Sequence, residues 1–321
     1  MQAMKEINFL PALRSSLVHT LAWFDIFDYP PTAEELYKYL WKTDLNIPYP
    51  VFLQILDYFE EHGEIRREHA FYMFPDRSGL AKKRNDAIWL VEEKMNIAKK
   101  AIKKIHWIPF VEAVFVCNTV AFGWPKKESD VDVFVVVKKG RLWLTRFLVT
   151  TRLSFANLRR NKKQVSDKIC LSFYVTDDNL DLSEICMDSE DVYLVYWLNF
   201  LIPVYDPKYV RVDLRKHNRW VEQFTVRFLL SKTLKRYAVR HTFASRKLKR
   251  FFEIVWSGMY GSLLETQAKK LQKLKMKKNK NSLQDKHDTR VVITDSMLKF
   301  HENDRRALFK KMWRERVATH I

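Results

Sequence analysis

The sequence predicts an α/β (α+β) protein, a core with a mixed sheet set between helical flanks. Three observations point there. Between residues 107 and 208 the apolar residues fall into short runs rich in β-branched and aromatic types, "VEAVFVC", "DVDVFVVV" and "KICLSFYV", with the helical stretch "RLWLTRFLVTTRLSFANLRR" between the last two. On either side, apolar residues recur at helical spacing. The 321 residues, 47% hydrophobic and 14% aromatic, suffice for roughly two or three domains, and only six glycines argue against long flexible linkers.

Residues 1–80 form the first predicted unit. "RSSLVHTLAWFDIF" reads as a helix, "PTAEELYKYLW" as a second with Pro31 in its first turn and Thr32 as N-cap, and "YPVFLQILDYFEEHGEI" as a third that stops at Gly63. "IRREHAFYMF" alternates like a short β-ribbon. This order resembles a winged-helix domain, which implies duplex DNA binding with the third helix in the major groove. Charge opposes that role: residues 1–75 carry 6 Lys+Arg against 11 Asp+Glu, and the third helix brings Asp57, Glu60, Glu61 and Glu64. Packing or protein contact is the expectation, and duplex DNA is not an expected partner.

Residues 81–106 read as a connecting helix with Ile88, Val91, Met95, Ala98 and Ile102 on one stripe. The α/β unit spans 107–208, and "EDVYLVYWLNFLIPVYD" within it reads as a helix ending near Pro203. Residues 209–321 read as a basic helical region, interrupted by the lysine-rich polar stretch "KKLQKLKMKKNKNSLQDKHD", which is expected to be mobile. In the last segment, "DSMLKFHENDRRALFKKMW", Asp295 and Ser296 read as caps of an amphipathic helix. Its Lys299, His301, Arg305 and Arg306 either reach an anion or belong to a surface helix closing over the core.

The formal net charge of +19 is confined to one third of the chain. Residues 211–321 hold 29 Lys+Arg and 10 Asp+Glu, which leaves 28 of each for the first 210. Such asymmetry favours a polyanionic partner for this third, RNA, DNA or an anionic membrane surface, against the alternative of solvated helix faces. Within "RFLLSKTLKRYAVRHTFASRKLKR", residues 227–250, one stripe is expected to pack on the body and the other to meet the polyanion. No apolar run reaches the roughly 18 residues of a membrane span, and the N-terminus lacks a signal-peptide core. A cytoplasmic protein that is not integral to a membrane is therefore expected. Cys117, Cys170 and Cys186 fit neither a disulfide framework nor a zinc site and read as buried small hydrophobes. His241, His287 and His301 have no ligand partner at helical spacing, and no phosphate loop or dinucleotide fingerprint occurs.

The chemistry-bearing stretch is "ESDVDVFVVV", residues 128–137. Side chains alternate along a strand, so Asp130 and Asp132 project to one side and Val131, Val133, Val135 and Val137 to the other. Two carboxylates so close repel one another, and a hard divalent cation between them removes that cost. On spacing alone, a turn residue followed by a solvated strand end fits as well.

The longer stretch "FVCNTVAFGWPKKESDVDVFVVV" resembles the nucleotidyltransferase superfamily of the DNA polymerase β type, whose signature is Gly-Ser after one strand and Asp-x-Asp opening the next. Asn118 and Thr119 stand where the Gly-Ser belongs, Gly123 lies in the intervening loop, and Ser129, Asp130, Val131 and Asp132 match Ser-Asp-x-Asp. The resemblance covers 107 to about 205 and implies transfer of a nucleoside monophosphate from a nucleoside triphosphate to an acceptor, with Mg2+ or Mn2+ held by Asp130 and Asp132. It further implies that Asn118, Thr119, Gly123 and Ser129 line the nucleotide site, with Lys126 or Lys127 adding charge or serving only as turn residues. The chain departs from the pattern twice: Asn118 replaces glycine, and "KICLSFYV", where a third carboxylate belongs, has none, leaving Asp167 and Asp177 at its ends. A nucleotide- or RNA-binding scaffold without catalysis is the alternative expectation.

Overall fold

A computed structural model of the chain describes residues 10–43, 47–225, 227, 234–277, 289–301 and 303–321. Its centre is a six-stranded mixed sheet in the order β6-β3-β4-β5-β8-β7. The strands are β3 (Val111–Val116), β4 (Val131–Val137), β5 (Ile169–Thr176), β6 (Ile202–Tyr205), β7 (Val291–Ile293) and β8 (Met297–Phe300). β3 and β4 pair antiparallel, whereas β4 and β5 are parallel and joined by helix α6 (Leu142–Phe155). Both faces of the sheet are covered, so the central strands read as near-continuous apolar runs. Every residue of β3 is buried, and in β4 only Asp132 is not.

On one face, Phe115, Phe134, Val136 and Phe173 pack against α1 (Leu10–Asp25), α7 (Val192–Phe200) and α11 (Arg306–His320). On the other, Val114, Val131, Val133 and Val135 meet α4 (Leu80–Ile105), α6 and α10 (Met259–Lys277). No helix among the described residues is long and apolar enough to cross a membrane.

The N-terminal region has three helices and an antiparallel hairpin in the expected order: α1, α2 (Ala33–Tyr39), α3 (Tyr49–Glu61), β1 (Arg66–Glu68) and β2 (Phe71–Met73). Thr32 caps α2 in a reciprocal pair with Glu35, and Gly63 takes φ 70° just past α3. These helices share one core with the sheet. Trp23 of α1 stacks on Tyr196 of α7 at 4.6 Å, and Phe52 and Leu56 of α3 lie in the same apolar cluster as Phe115.

Several expectations are corrected. Of the stripe expected on α4, Met95, Ala98 and Ile102 are buried, Val91 is half-buried and Ile88 is exposed. The helix expected to reach Pro203 stops at Phe200, and 202–205 form edge strand β6; a continuous apolar run suits either state, and an edge tolerates proline's missing N–H. Residues 297–300 are strand β8, with Met297, Leu298 and Lys299 paired to β5, so the last helix begins only at Arg306. Among the described residues of 227–250, helix begins only at Phe243, where α9 (Phe243–Val255), the next helix after α8 (Val210–His217), starts; Tyr237 sits in a turn, while Phe228, Leu229 and Lys232 lie outside the described residues, as does His287.

Candidate active site

Strand directions bring three chain segments together. Because β3 runs against β4, the residues after β3 reach the start of β4, and because β5 runs with β4, their first residues lie side by side. Asn118, Asp130–Asp132 and Cys170 thereby converge. The ligand atoms of Asp130, Asp132 and Cys170 lie within 4.8 Å of one another.

Cys170 occupies this place because β5 has a bulge. Asp132 pairs with Cys170 and Phe134 with Phe173, so one extra residue interrupts the alternation. Cys170 therefore shares a face with Phe173 and Val175, where simple alternation sets it on the opposite one. The cysteine read as a buried apolar filler is the third member of the cluster. Asp167 and Asp177 are committed elsewhere, to Lys94 at 2.7 Å and to Lys138 at 2.7 Å.

Electrostatics at the cluster are strained by burial. Burial, followed by the neighbouring charge of Asp130, pushes the Asp132 carboxyl up to about 6. Burial and both aspartates also hold the Cys170 thiol well above its ordinary range, so it is protonated. Arg160 donates to Asp130 at 2.7 Å and reaches the Cys170 sulfur at 3.8 Å, supplying the cation that two adjacent carboxylates require.

The loop before β4 is anchored from below. Lys94, fully buried in α4, donates to the carbonyls of Lys127 (2.8 Å) and Ser129 (2.7 Å) as well as to Asp167. Ser129 is a turn residue whose hydroxyl and N–H both donate to the Lys126 carbonyl, and the Lys126 and Lys127 side chains are exposed. Gly123 ends the short helix α5 (Asn118–Phe122) at φ 93°, its N–H taken by the carbonyls of Thr119 and Val120, and a Cβ there would meet Tyr29 at 2.8 Å. Asn118, at φ 54°, accepts from Trp197 Nε1 at 2.8 Å and Tyr193 at 3.4 Å. Asn118 is thus locked beside Asp132, and Ser129 and Gly123 support the loop.

Two cavities meet at the cluster. A cleft of about 1210 Å3 extends over α6, α10 and β5, and a smaller one of about 230 Å3 runs towards α7 and α11. Both are bordered by Asn118, Asp132, His301 and Asn303, and Thr119 lines the smaller. The larger cleft carries Arg146, Arg159, Arg160, Lys162 and Lys275, and among the described residues Asp132 is its only acid. Arg146, Arg159, Lys162 and Lys275 meet no carboxylate among the described residues; Arg146 instead donates to Gln272 at 2.5 Å, and burial pushes its guanidinium below its usual range. Phe155, 84% exposed, offers a free aromatic ring at the rim. Of the cations expected near an anion, Lys299 is buried and held by burial at about 8, and Arg306 is committed to Asp191 at 2.6 Å and Asp304 at 2.8 Å. His301, held near 4 by burial, is neutral, and its Nδ1 has no hydrogen-bond partner among the described residues.

No family model, curated protein or solved structure matches the chain.

Proposed function

We propose that the chain is a metal-dependent nucleotidyltransferase with a core of the DNA polymerase β type, a winged-helix-like N-terminal domain and a C-terminal region for a polyanionic partner, working in the cytoplasm. The observation that carries the reading is the convergence of Asn118, Asp130 and Asp132 at the ends of an antiparallel and a parallel strand pair, beside a cleft rich in unpaired cations. A cleft so charged suits a triphosphate, and its volume exceeds the roughly 300–1,000 Å3 usual for one small ligand, leaving room for an acceptor.

The donor set fits a divalent cation. Asp130 and Asp132 would hold Mg2+ or Mn2+ once Arg160 yields Asp130, and the metal would supply charge neutralisation on the phosphoryl oxygens. Arg146, Arg159 and Lys162 bind and orient phosphates, the locked Asn118 fixes the end of β3, and His301 is a neutral, weak proton acceptor at the junction of the cavities.

A second reading, a nucleotide- or RNA-binding module without catalysis, is favoured by Cys170 at the third position and by the Arg160–Asp130 pair standing in for a metal. Incubation with each labelled triphosphate, Mg2+ or Mn2+, and cell RNA, small metabolites or the protein itself as acceptor separates the two. Asp130→Asn with Asp132→Asn is expected to abolish metal-dependent triphosphate binding and leave the melting temperature unchanged or higher, since it removes a repelling, partly desolvated pair. Unchanged binding with lower stability would make the pair structural. Cys170→Asp, which restores a third carboxylate, should raise transfer if the site is catalytic and leave it at zero if it only binds.

A further inference from the structure

Helix α9 is oriented against its own amphipathicity. At 100° per residue, the side facing the body carries Ser245, Lys249 and Phe252, and Lys249, 8% exposed, donates to the Val111 carbonyl and, at 3.1 Å, to the Tyr205 hydroxyl. The opposite side presents Phe243 (73% exposed), Phe251 (59%) and Ile254 (64%) to solvent, and Met259 at the start of α10 is 91% exposed. An isolated apolar side chain on a surface is ordinary, but a continuous apolar helix face turned outwards marks an interaction surface.

Charge identifies the partner. Lys247 and Arg250 lie on that outward side and the exposed Arg246 flanks it, and none of the three meets a carboxylate among the described residues. Residues 243–277 contain nine basic and two acidic residues. Both acids are turned inwards: Glu253 accepts from the Phe110 N–H at 2.9 Å, and Glu265 accepts from the N–H groups of Trp143 and Leu144 at 2.8 Å each. The outward face is left with cations, apolar side chains and a few uncharged polar ones such as Ser257 and Ser262, and with no acid. RNA would use the cations but leave Ile254 and Met259 in water. A second copy of the chain would set these cations against their own image. A bilayer with anionic headgroups takes both, the apolar side chains at the acyl boundary and the cations among the headgroups.

We propose that the outer face of α9 and the start of α10 attaches the protein peripherally to an anionic membrane surface. This does not depend on the reaction at Asp130 and Asp132. The test is cosedimentation of the full chain with vesicles of phosphatidylcholine alone and of phosphatidylcholine with added phosphatidylglycerol. Binding to the anionic vesicles is expected to be at least about tenfold tighter than to the neutral ones and to weaken with salt. Arg246→Gln, Lys247→Gln and Arg250→Gln together should weaken it by about a hundredfold, from about one kcal/mol per cation. Phe251→Ser with Ile254→Ser should weaken it at least about tenfold. Circular-dichroism melts at the parental temperature verify folding, and the more exposed Phe243→Ser serves if the double variant melts early. The proposal is overturned if the parent does not bind anionic vesicles, if neutral vesicles bind equally, or if either set of variants binds as the parent does. A parental dimer that the serine variant dissociates would assign the face to a second copy and overturn it equally.

Discussion

Helices α3 and α9 flank the same molecule and are both amphipathic, yet they are turned in opposite senses. Helix α3 buries Phe52, Ile55, Leu56 and Phe59 and leaves Asp57, Glu60 and Glu61 at the surface, where Arg67 pairs with Asp57 and Glu60. Helix α9 buries Lys249 and exposes Phe243, Phe251 and Ile254. The first is stabilised by the ordinary transfer of apolar surface out of water. The second is held by hydrogen bonds from Lys249 and by the inward Glu253, and its apolar surface is left over for something outside the described residues. Helical periodicity therefore reports that a helix has an apolar side, not that this side faces the chain's own core.

Truncation at the two helices should show the largest difference. Phe52→Ala is expected to cost about 3–5 kcal/mol in urea unfolding, because it opens a cavity in a close-packed core. Phe251→Ala should stay within about 0.5 kcal/mol. If it costs as much as Phe52→Ala, the outer face of α9 is folded against part of this chain, and the contrast fails.

The inward lysine gives α9 a pH signature that α3 lacks. Burial lowers the Lys249 ammonium from 10.5 to about 8. Between pH 8 and 10.5 the unfolded chain binds a proton there that the folded chain does not, so this lysine's contribution to stability should rise with pH across that window, against the opposite contribution of the buried Cys170 thiol. The rise is about 3 kcal/mol at the ordinary value per pKa unit. Lys299, at about 8, adds a rise of the same sign. Denaturant unfolding followed from pH 8 to 10 should show a flatter slope for Lys249→Met; an unchanged slope would mean that the lysine is not held as described.

The smallest effect sharpens the N-terminal side. Thr32→Ala removes the side-chain half of the capping pair with Glu35 and should lower stability by about 1 kcal/mol. Thr242→Ala, which removes the acceptor for Ser245 N–H at the start of α9, should cost less, since α9 buries little apolar surface of its own. Equal losses would indicate that both helices are coupled to the core to the same degree.

Much of this was legible from local pattern. The α/β alternation, the long helix α4, the N-terminal hairpin and the shared side of Asp130 and Asp132 follow from apolar periods of 3.6 and 2, and these act over windows of a few residues. Only the tertiary structure decided what depends on a distant partner. Residues 297–300 became a strand because β5 offered an edge, and Cys170 entered the cluster because a bulge shifted the phase of β5. Arg160 came to rest on Asp130, thirty residues away in sequence, and the cations of α6 and the following turn gathered over one cleft. Periodicity fixes which side chains share a face, whereas pairing and packing across the chain decide where that face points, since burial free energy is set by the neighbour and not by the helix or strand itself.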